Sequence, residues 1–236
     1  NGEEIIYTAA DGKIAKSNIV YNYLTTARGE QFQITLADGT QVWLNSETQL
    51  KYPVSFIDGA SRQVELVYGE AYFDVSSSTN HSGSNFKVYH KEQEVQVLGT
   101  EFNIKAYKDE TNIYTTLVEG AVAVNYLENK QVLQPEQQSN YDLVSNSMMV
   151  TTIDIYNETS WKEGVFSFKK KSLKEIMKVL ARWYDIEVEF ENREAENAEF
   201  IGVLGKGQSI EEILSNIKSF EIINNYEINN KKVILK

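Results

Sequence analysis

Apolar and polar residues alternate with a period of two from about Gln31 to Ile153, with turn residues every 8 to 12 positions or so. Phe32, Ile34 and Leu36 begin this pattern, and Asp38-Gly39 then supplies a two-residue hairpin signal. The alternation recurs in Val42–Leu44, Val64–Tyr68, Ala71–Val75, Phe86–Val88, Val95–Val97, Phe102–Ala106, Ile113–Leu117 and Val122–Tyr126. No stretch in this region keeps helical apolar spacing for three turns. Residues 28–153 are therefore predicted to form an all-β domain, either a sandwich or a coil of stacked short strands.

The pattern changes after Asp154, where residues 154–164 are mainly polar and are predicted to form a linker. Two amphipathic helices follow, because apolar residues recur at helical spacing in two segments: Leu173, Ile176, Met177, Leu180 and Tyr184, then Ile210, Ile213, Leu214 and Ile217. Each segment is preceded by Ser-x-x-Glu, Ser172 with Glu175 and Ser209 with Glu212. This spacing predicts a capping box, in which the two side chains satisfy free backbone N–H groups reciprocally.

Strand-forming segments surround both helices: Val165–Phe168, Ile186–Phe190, Phe200–Val203, Tyr226–Ile228 and Val233–Leu235. Residues 165–236 are therefore predicted to form a small α+β domain of two strand–helix–strand units, closed by a hairpin. Residues 1–27 are left as an N-terminal extension that has room for a strand. The whole chain is predicted to be mainly β.

Composition narrows the function classes. The 236 residues carry 23 Lys and Arg against 34 Asp and Glu, a net charge of −11, which argues against nucleic acid as a partner. There is no cysteine, and the two histidines are His81 and His90. We therefore predict no metal site and no cofactor, and the composition points away from an enzyme.

Three functional alternatives follow from the residues themselves. Trp43, Tyr52, Tyr68, Tyr72, Trp161 and Trp183 could form a sugar platform, which keeps a glycan-binding β module as the alternative function. The Gly202–Ser209 segment joins a strand to a helix start but has no phosphate-loop spacing, which favours a plain turn before the N-cap. A glycosidase would need two facing carboxylates, and no acidic residue here lies in a distinctive motif.

Several sequence blocks resemble the FecR-type anti-sigma factor family. In the β region they are Leu36-x-Asp38-Gly39-Thr40-x-Val42-Trp43-Leu44-Asn45, Arg62-x-Val64-x-Leu66, Gly69-Glu70-Ala71-Tyr72-Phe73, Leu98-Gly99-Thr100-x-Phe102-Asn103-Ile104-x-Ala106-Tyr107 and Leu117-x-Glu119-Gly120. Further blocks follow in the C-terminal region: Trp161-x-x-Gly164, Leu180-x-Arg182-Trp183-Tyr184 and Ser209-Ile210-Glu211-Glu212-Ile213-Leu214. The chain departs from the family at Pro135–Gln138 and through a polar insertion at Ser76–Asn85.

The resemblance implies the periplasmic sensor portion of a single-span inner-membrane protein, since the chain shows neither the family's cytoplasmic segment nor its membrane helix. That absent segment would bind an extracytoplasmic-function sigma factor. The implied signal source is the signalling domain of a TonB-dependent outer-membrane receptor, which the small C-terminal domain would dock.

Two sites are predicted on this basis. Lys232, Val233, Ile234 and Leu235 are predicted to bind the partner as an edge strand, with flanking lysines that discourage self-pairing. Some relatives break their chain between Gly and Thr in the block matched here by Gly99 and Thr100, so self-cleavage at this bond is a second hypothesis beside a plain turn.

Overall fold

The structure is a computed structural model that describes residues 4–6 and 19–236. It divides into two compact units. The first unit consists of residues 1–27 and 31–155, and the second of residues 28–30 and 156–236. The predicted extension 1–27 contributes two strands to the first unit, and its residues 1–3 and 7–18 lie outside the described part.

In the part that the structure describes, the first unit contains fourteen strands joined into one sheet. They are β1 (Glu4–Ile6), β2 (Tyr21–Thr26), β3 (Phe32–Thr35), β4 (Gln41–Leu44), β5 (Thr48–Pro53), β6 (Arg62–Asp74), β7 (Phe86–His90), β8 (Gln93–Val97), β9 (Glu101–Ala106), β10 (Asn112–Glu119), β11 (Val122–Tyr126), β12 (Asn129–Leu133), β13 (Gln137–Asp142) and β14 (Ser147–Thr152). A short 3₁₀ helix, Ser78–His81, lies between β6 and β7.

Strand β6 is thirteen residues long and belongs to two ladders. Its first half pairs with β5 and β7, and its second half pairs with β4 and β9. Gly69 lies at the change of partners with φ +101°, where a Cβ atom would stand 2.5 Å from the Thr48 Cα. Glycine is needed here because no other residue combines this dihedral with such a close backbone approach.

The two ladders enclose one hydrophobic core, and their inner faces are the alternating apolar positions expected from the sequence. Tyr126 of β11 stacks on Tyr141 of β13 across the core, with ring centroids 3.7 Å apart. The sheet therefore curls into a nearly barrel-like body, which confirms the mainly β fold class.

The second unit is a smaller α+β domain. Its elements are α1 (Ile155–Thr159), a 3₁₀ helix (Ser160–Glu163), β15 (Val165–Ser172), α2 (Leu173–Tyr184), β16 (Glu187–Phe190), α3 (Arg193–Glu196), β17 (Glu199–Gly205), α4 (Ile210–Ser219), β18 (Tyr226–Asn229) and β19 (Lys232–Leu235). β15 and β17 form one antiparallel pair, and β16, β19 and β18 form a separate three-stranded sheet in that order.

Helices α2 and α4 begin and face as the sequence predicts. Ser172 and Ser209 each accept a hydrogen bond from the backbone N–H three residues on, and Glu175 and Glu212 each reach back to the N-cap backbone. The predicted apolar stripes of both helices are buried, except that Tyr184 at the end of α2 is half-buried. Each capping serine contributes about 1 kcal/mol.

The predicted linker differs from the structure. Residues 155–163 are helical, and Trp161 is buried in the second unit rather than exposed. The segment 28–30 also belongs to this unit, where the Gly29 N–H donates to the Arg182 carbonyl over 2.8 Å. The polar composition of residues 154–164 concealed their helical structure, because one large side chain, Trp161, is enough to anchor so short a segment.

Candidate functional site

The predicted docking segment, Lys232–Leu235, is strand β19, and it lies in the middle of the three-stranded sheet. It pairs in parallel with β16 on one side and antiparallel with β18 on the other. Val233 and Leu235 are 0% exposed. The prediction that this segment is an edge strand is therefore wrong, because the backbone groups on both of its sides already have partners.

The lysines around β19 are held in ion pairs with acids of the same unit. The Lys232 Nζ lies 2.6 Å from the Glu189 Oε2 on β16, and Lys236 pairs with Glu227 on β18. The hydrogen bond to Glu189 raises the pKa of Lys232. These lysines link the strands of the sheet, which is a different role from guarding an edge.

Unpaired strand sides remain elsewhere in the second unit. Within the described residues, β16 and β18 pair only with β19, and β15 and β17 pair only with each other. An unpaired side offers a row of N–H and C=O groups to an incoming strand. Four strands other than β19 are therefore the candidates for docking.

In the turn between β17 and α4, the side chain of Lys206 packs among three aromatic rings. The Lys206 Nζ lies 4.5 Å from the ring centroid of Trp183, 5.2 Å from that of Phe166 and 5.7 Å from that of Trp161, and it donates to the Trp161 carbonyl. This lysine cage, formed by Lys206 and these three rings, directs the ammonium inward. The Ser209 cap on α4 is likewise filled by Glu212, so the segment forms a turn before an N-cap, as the sequence favours.

The predicted cleavage bond, Gly99–Thr100, lies in the turn between β8 and β9. Gly99 has φ +154°, and a Cβ atom on it would stand 2.9 Å from the Ser77 Cα. Thr100 is buried, and its Oγ1 donates to the Ala121 carbonyl over 3.2 Å. A Cβ on Gly120 would stand 2.8 Å from that Oγ1, so the lack of a side chain at 120 makes space for the hydroxyl.

The polar insertion at 76–85 packs against this turn. The Ser78 N–H donates to the Leu98 carbonyl over 2.5 Å. Arg62, only 1% exposed, holds both ends of the insertion, because its guanidinium donates to the Ser76 and Ser84 carbonyls. The same guanidinium pairs with the Asp38 Oδ2 at 2.8 Å, with both side chains buried. Sequence reasoning treated this segment as an insertion and did not assign Arg62 a role.

Comparison with known proteins identifies two matching regions. The FecR protein profile matches residues 22–123, and the FecR C-terminal profile matches residues 165–235. The two matches together span well over half of the chain and fall on the first and second units respectively. The chain belongs to the FecR family of anti-sigma factors.

Two solved structures have an architecture similar to that of this chain. One crystal structure of a proposed anti-sigma factor from Parabacteroides distasonis ATCC 8503 has a TM-score of 0.81 and 27% identity, over 91% of this chain and 98% of that one. A second structure of that description and organism has a TM-score of 0.80 and 27% identity, over 92% of this chain and 98% of that one. Comparison with curated proteins gives no significant match. Membership of the FecR family supports a role in regulating a sigma factor.

The polar residues of the FecR sequence blocks meet around one buried carboxylate. Asn45 and Asn103 donate to the two Glu70 oxygens, at 2.8 Å and 3.0 Å, and the Tyr107 OH lies 3.5 Å from the Glu70 Oε2. All four side chains are buried. These residues of the FecR blocks therefore form a buried hydrogen-bond network, and this network links β4, β6 and β9.

The aromatic residues considered for a sugar platform are mostly internal. Tyr52, Tyr72 and Trp161 are buried, and Trp43 packs edge-on against Tyr72 with centroids 5.7 Å apart. Burial, followed by the hydrogen bond to Glu101, raises the pKa of Tyr72 strongly. Tyr52, Tyr72 and Trp161 therefore serve as packing in this FecR chain, whereas Trp43, Tyr68 and Trp183 are half-buried.

Neither histidine lies in a cluster of ligands. The His81 Nε2 is 2.9 Å from the Ser76 Oγ, and the His90 Nδ1 donates to the Leu66 carbonyl over 2.8 Å. Burial lowers the pKa of His90. Among the described residues, no group of three or more His, Cys, Asp or Glu side chains could hold a metal ion.

No helix in the described residues of the FecR chain is long and apolar enough to cross a membrane.

Proposed function

We propose that the chain is the periplasmic sensor portion of an anti-sigma factor that is anchored in the inner membrane in its full-length form. Family membership over both units supports this proposal, as does the likeness to two proposed anti-sigma factors over more than nine tenths of the chain. In the full-length protein, a cytoplasmic segment outside this chain binds the extracytoplasmic-function sigma factor. The present residues receive the signal.

The signal comes from the N-terminal signalling domain of a TonB-dependent outer-membrane receptor, by docking of two folded proteins without a chemical reaction. The observation that carries this proposal is the second unit, a small α+β domain whose outer strands keep unpaired sides. Such sides are a recurrent means of recognising a partner strand. Docking then changes the regulator by favouring one of its states by a few kcal/mol.

Isothermal titration tests this docking directly. The titrant is the N-terminal signalling domain of a TonB-dependent receptor from the same organism, and the cell contains the whole chain. We expect saturable one-to-one binding with a negative heat-capacity change, since apolar surface is buried. The signalling domain of an unrelated receptor is the control. Absence of heat, together with no co-elution of the two proteins, would reject the receptor as the partner.

The location of the chain is tested separately in the cell. Protease added to spheroplasts should digest these residues in the full-length protein and leave the sigma-binding segment intact. Deletion of the segment that encodes the second unit should abolish induction of the sigma-dependent promoter by the receptor's ligand. Protection of this region from protease in intact spheroplasts would contradict the periplasmic assignment.

We also propose, as a second activity, that the chain cleaves itself between Gly99 and Thr100. The observation that favours it is the turn itself, where Gly99 has a dihedral that favours glycine and the Thr100 hydroxyl is buried beside the peptide. The Thr100 Oγ attacks the Gly99 carbonyl carbon and forms an ester, while the C–N bond breaks and the nitrogen takes up the hydroxyl proton. Water then hydrolyses the ester, leaving a carboxylate on Gly99 and a free amine on Thr100.

Intact-mass measurement of the purified chain decides this activity. We expect two fragments, the second beginning at Thr100, and we expect that they remain associated because β8 and β9 are tied into the same sheet by other strands. Thr100→Ala should give only the intact chain, whereas Thr100→Ser should still cleave. Detection of only the intact mass in the wild-type protein after prolonged incubation would rule the activity out.

A further inference from the structure

The strand edges of the second unit are not equivalent, and one of them lacks any protection. Strands β16 and β18 have only four residues each and carry exposed acids, Glu187 and Glu189 on one and Glu227 on the other. Strand β15 has a bulge at Lys170, where φ is +54°, inside a run of three lysines. Short length, edge charges and bulges are the devices by which proteins prevent unwanted strand pairing.

Strand β17 has none of these devices. It is seven residues long, its pairing with β15 is continuous from Ile201 to Gly205, and its only charged residue is Glu199 at the start. Ile201 is 68% exposed and Val203 is 58% exposed, on the same face of the strand. An apolar edge with few charges is a hazard for a protein unless a partner covers it.

The neighbouring strand indicates the chemistry of that partner. Lys169 lies opposite Ile201 and on the same face of the sheet, and the exposed Lys170 follows it. Lys169-Lys170-Lys171 is the only run of three basic residues in a chain whose net charge is −11. A strand added to β17 would run about 10 Å from β15, within reach of its lysine side chains. Carboxylates on that strand would therefore be attracted.

We propose that β17 is the docking strand, and that its occupant is an acidic edge strand of the partner with apolar side chains over Ile201 and Val203. The added strand extends the β15–β17 pair to three strands. This inference rests on the proposed receiver function and specifies which edge performs it. A second copy of the chain is a less suitable occupant of the β17 edge. Its own lysines at 169–171 would add positive charge close to the lysines of β15.

Substitution of the exposed face provides the first test. Ile201→Glu and Val203→Glu, titrated with the receptor signalling domain, should each weaken binding by about tenfold or more, because each removes apolar contact and adds a repelled charge. Phe220→Glu is the matched control, since Phe220 is equally exposed but lies at the end of α4. Circular dichroism of each variant separates lost binding from lost folding.

Hydrogen exchange then locates the contact without any mutation. Amides of 199–205 should become protected when the receptor domain is added, whereas those of 187–190 and 226–229 should not change. Protection on β16 or β18 instead would overturn the β17 assignment and leave the receiver function standing. Failure of the receptor domain to bind the wild-type chain at all would count against the receiver function itself.

Charge attraction between the lysines of β15 and the partner is tested by a separate measurement. Lys169→Glu with Lys170→Glu should weaken binding, and the affinity of this variant should depend less steeply on salt than that of the wild-type chain. Unchanged affinity in this double variant would overturn the proposal that the partner strand is acidic. Sedimentation of the free chain covers the other occupant: a dimer that Ile201→Glu converts to a monomer would make a second copy the natural occupant and overturn the proposal.

Discussion

The two units of the molecule differ in the burial of the ion pairs that can be compared between them. The first unit buries the Arg62–Asp38 ion pair and surrounds the Glu70 carboxylate with hydrogen bonds. In the second unit, the ion pair of Lys232 with Glu189 lies at the surface. A sheet of fourteen strands has a larger interior in which to satisfy a buried ion pair than a small domain has. The buried pair is therefore expected to stabilise its unit far more than the exposed pair does.

The largest expected difference between the units comes from breaking the buried ion pair. Arg62→Met should lower the free energy of unfolding by about 3–5 kcal/mol, because it leaves the Asp38 carboxylate buried without its partner. Urea denaturation followed by circular dichroism measures the loss. Arg62→Met combined with Asp38→Leu should recover part of it, since no lone charge then remains. An unchanged midpoint in the single variant would contradict the buried role of the pair.

A smaller effect is expected at the helix caps of the second unit. Ser209→Ala should cost about 1 kcal/mol, because the Glu212 N–H loses its acceptor at the start of α4. Ser215→Ala in the same helix is the control, as Ser215 is exposed and caps nothing. Equal denaturation midpoints for the two variants would show that the capping box does not stabilise this unit.

Acid should affect the first unit through His90. Its pKa is lowered by burial, partly offset by the hydrogen bond to the Leu66 carbonyl, so the unfolded state binds the proton more readily. Stability is therefore complete above the unfolded value of 6.5 and falls as the pH drops below it. His90→Gln should reduce this loss between about pH 7.5 and pH 5.5. Identical pH dependence in wild type and His90→Gln would contradict the assignment.

The smallest effect is expected at the exposed pair of the second unit. Lys232→Gln should leave the denaturation midpoint unchanged within error, because the pair with Glu189 is solvated and screened by salt. The same measurement on Arg62→Met provides the contrast. A clear loss of stability in Lys232→Gln would show that the two units do not differ in the way proposed.

Local patterns predicted much of this fold. The alternation around Phe32–Leu44 and the Ser-x-x-Glu caps at Ser172 and Ser209 each depend on neighbours within a few residues, and the structure confirms them. Strand β13 was not individually predicted, because its sequence, Gln137–Asp142, is mostly polar and it forms through pairing with β10 and β14.

Residue roles that depend on long-range pairing could not be predicted. The sequence of β19 suits an edge or a centre equally well, and only its pairing with the distant β16 places it in the centre. Arg62 and Glu70 are buried because each finds partners that are 14 to 37 residues away in sequence, and the local pattern does not indicate those partners. The FecR blocks contain Arg62 and Glu70 but do not reveal which residues each of them contacts.

The lysine cage gives the protein an intrinsic optical signal. The chain has three tryptophans. Two of them, Trp161 and Trp183, lie beside the Lys206 ammonium directly after the end of β17, and the third, Trp43, lies in the first unit. Any shift of β17 would change the distance between that charge and the indole rings, and with it the emission of both. Occupancy of the docking strand is thus expected to be visible in unlabelled protein as a change in fluorescence, and Lys206→Met should abolish that change.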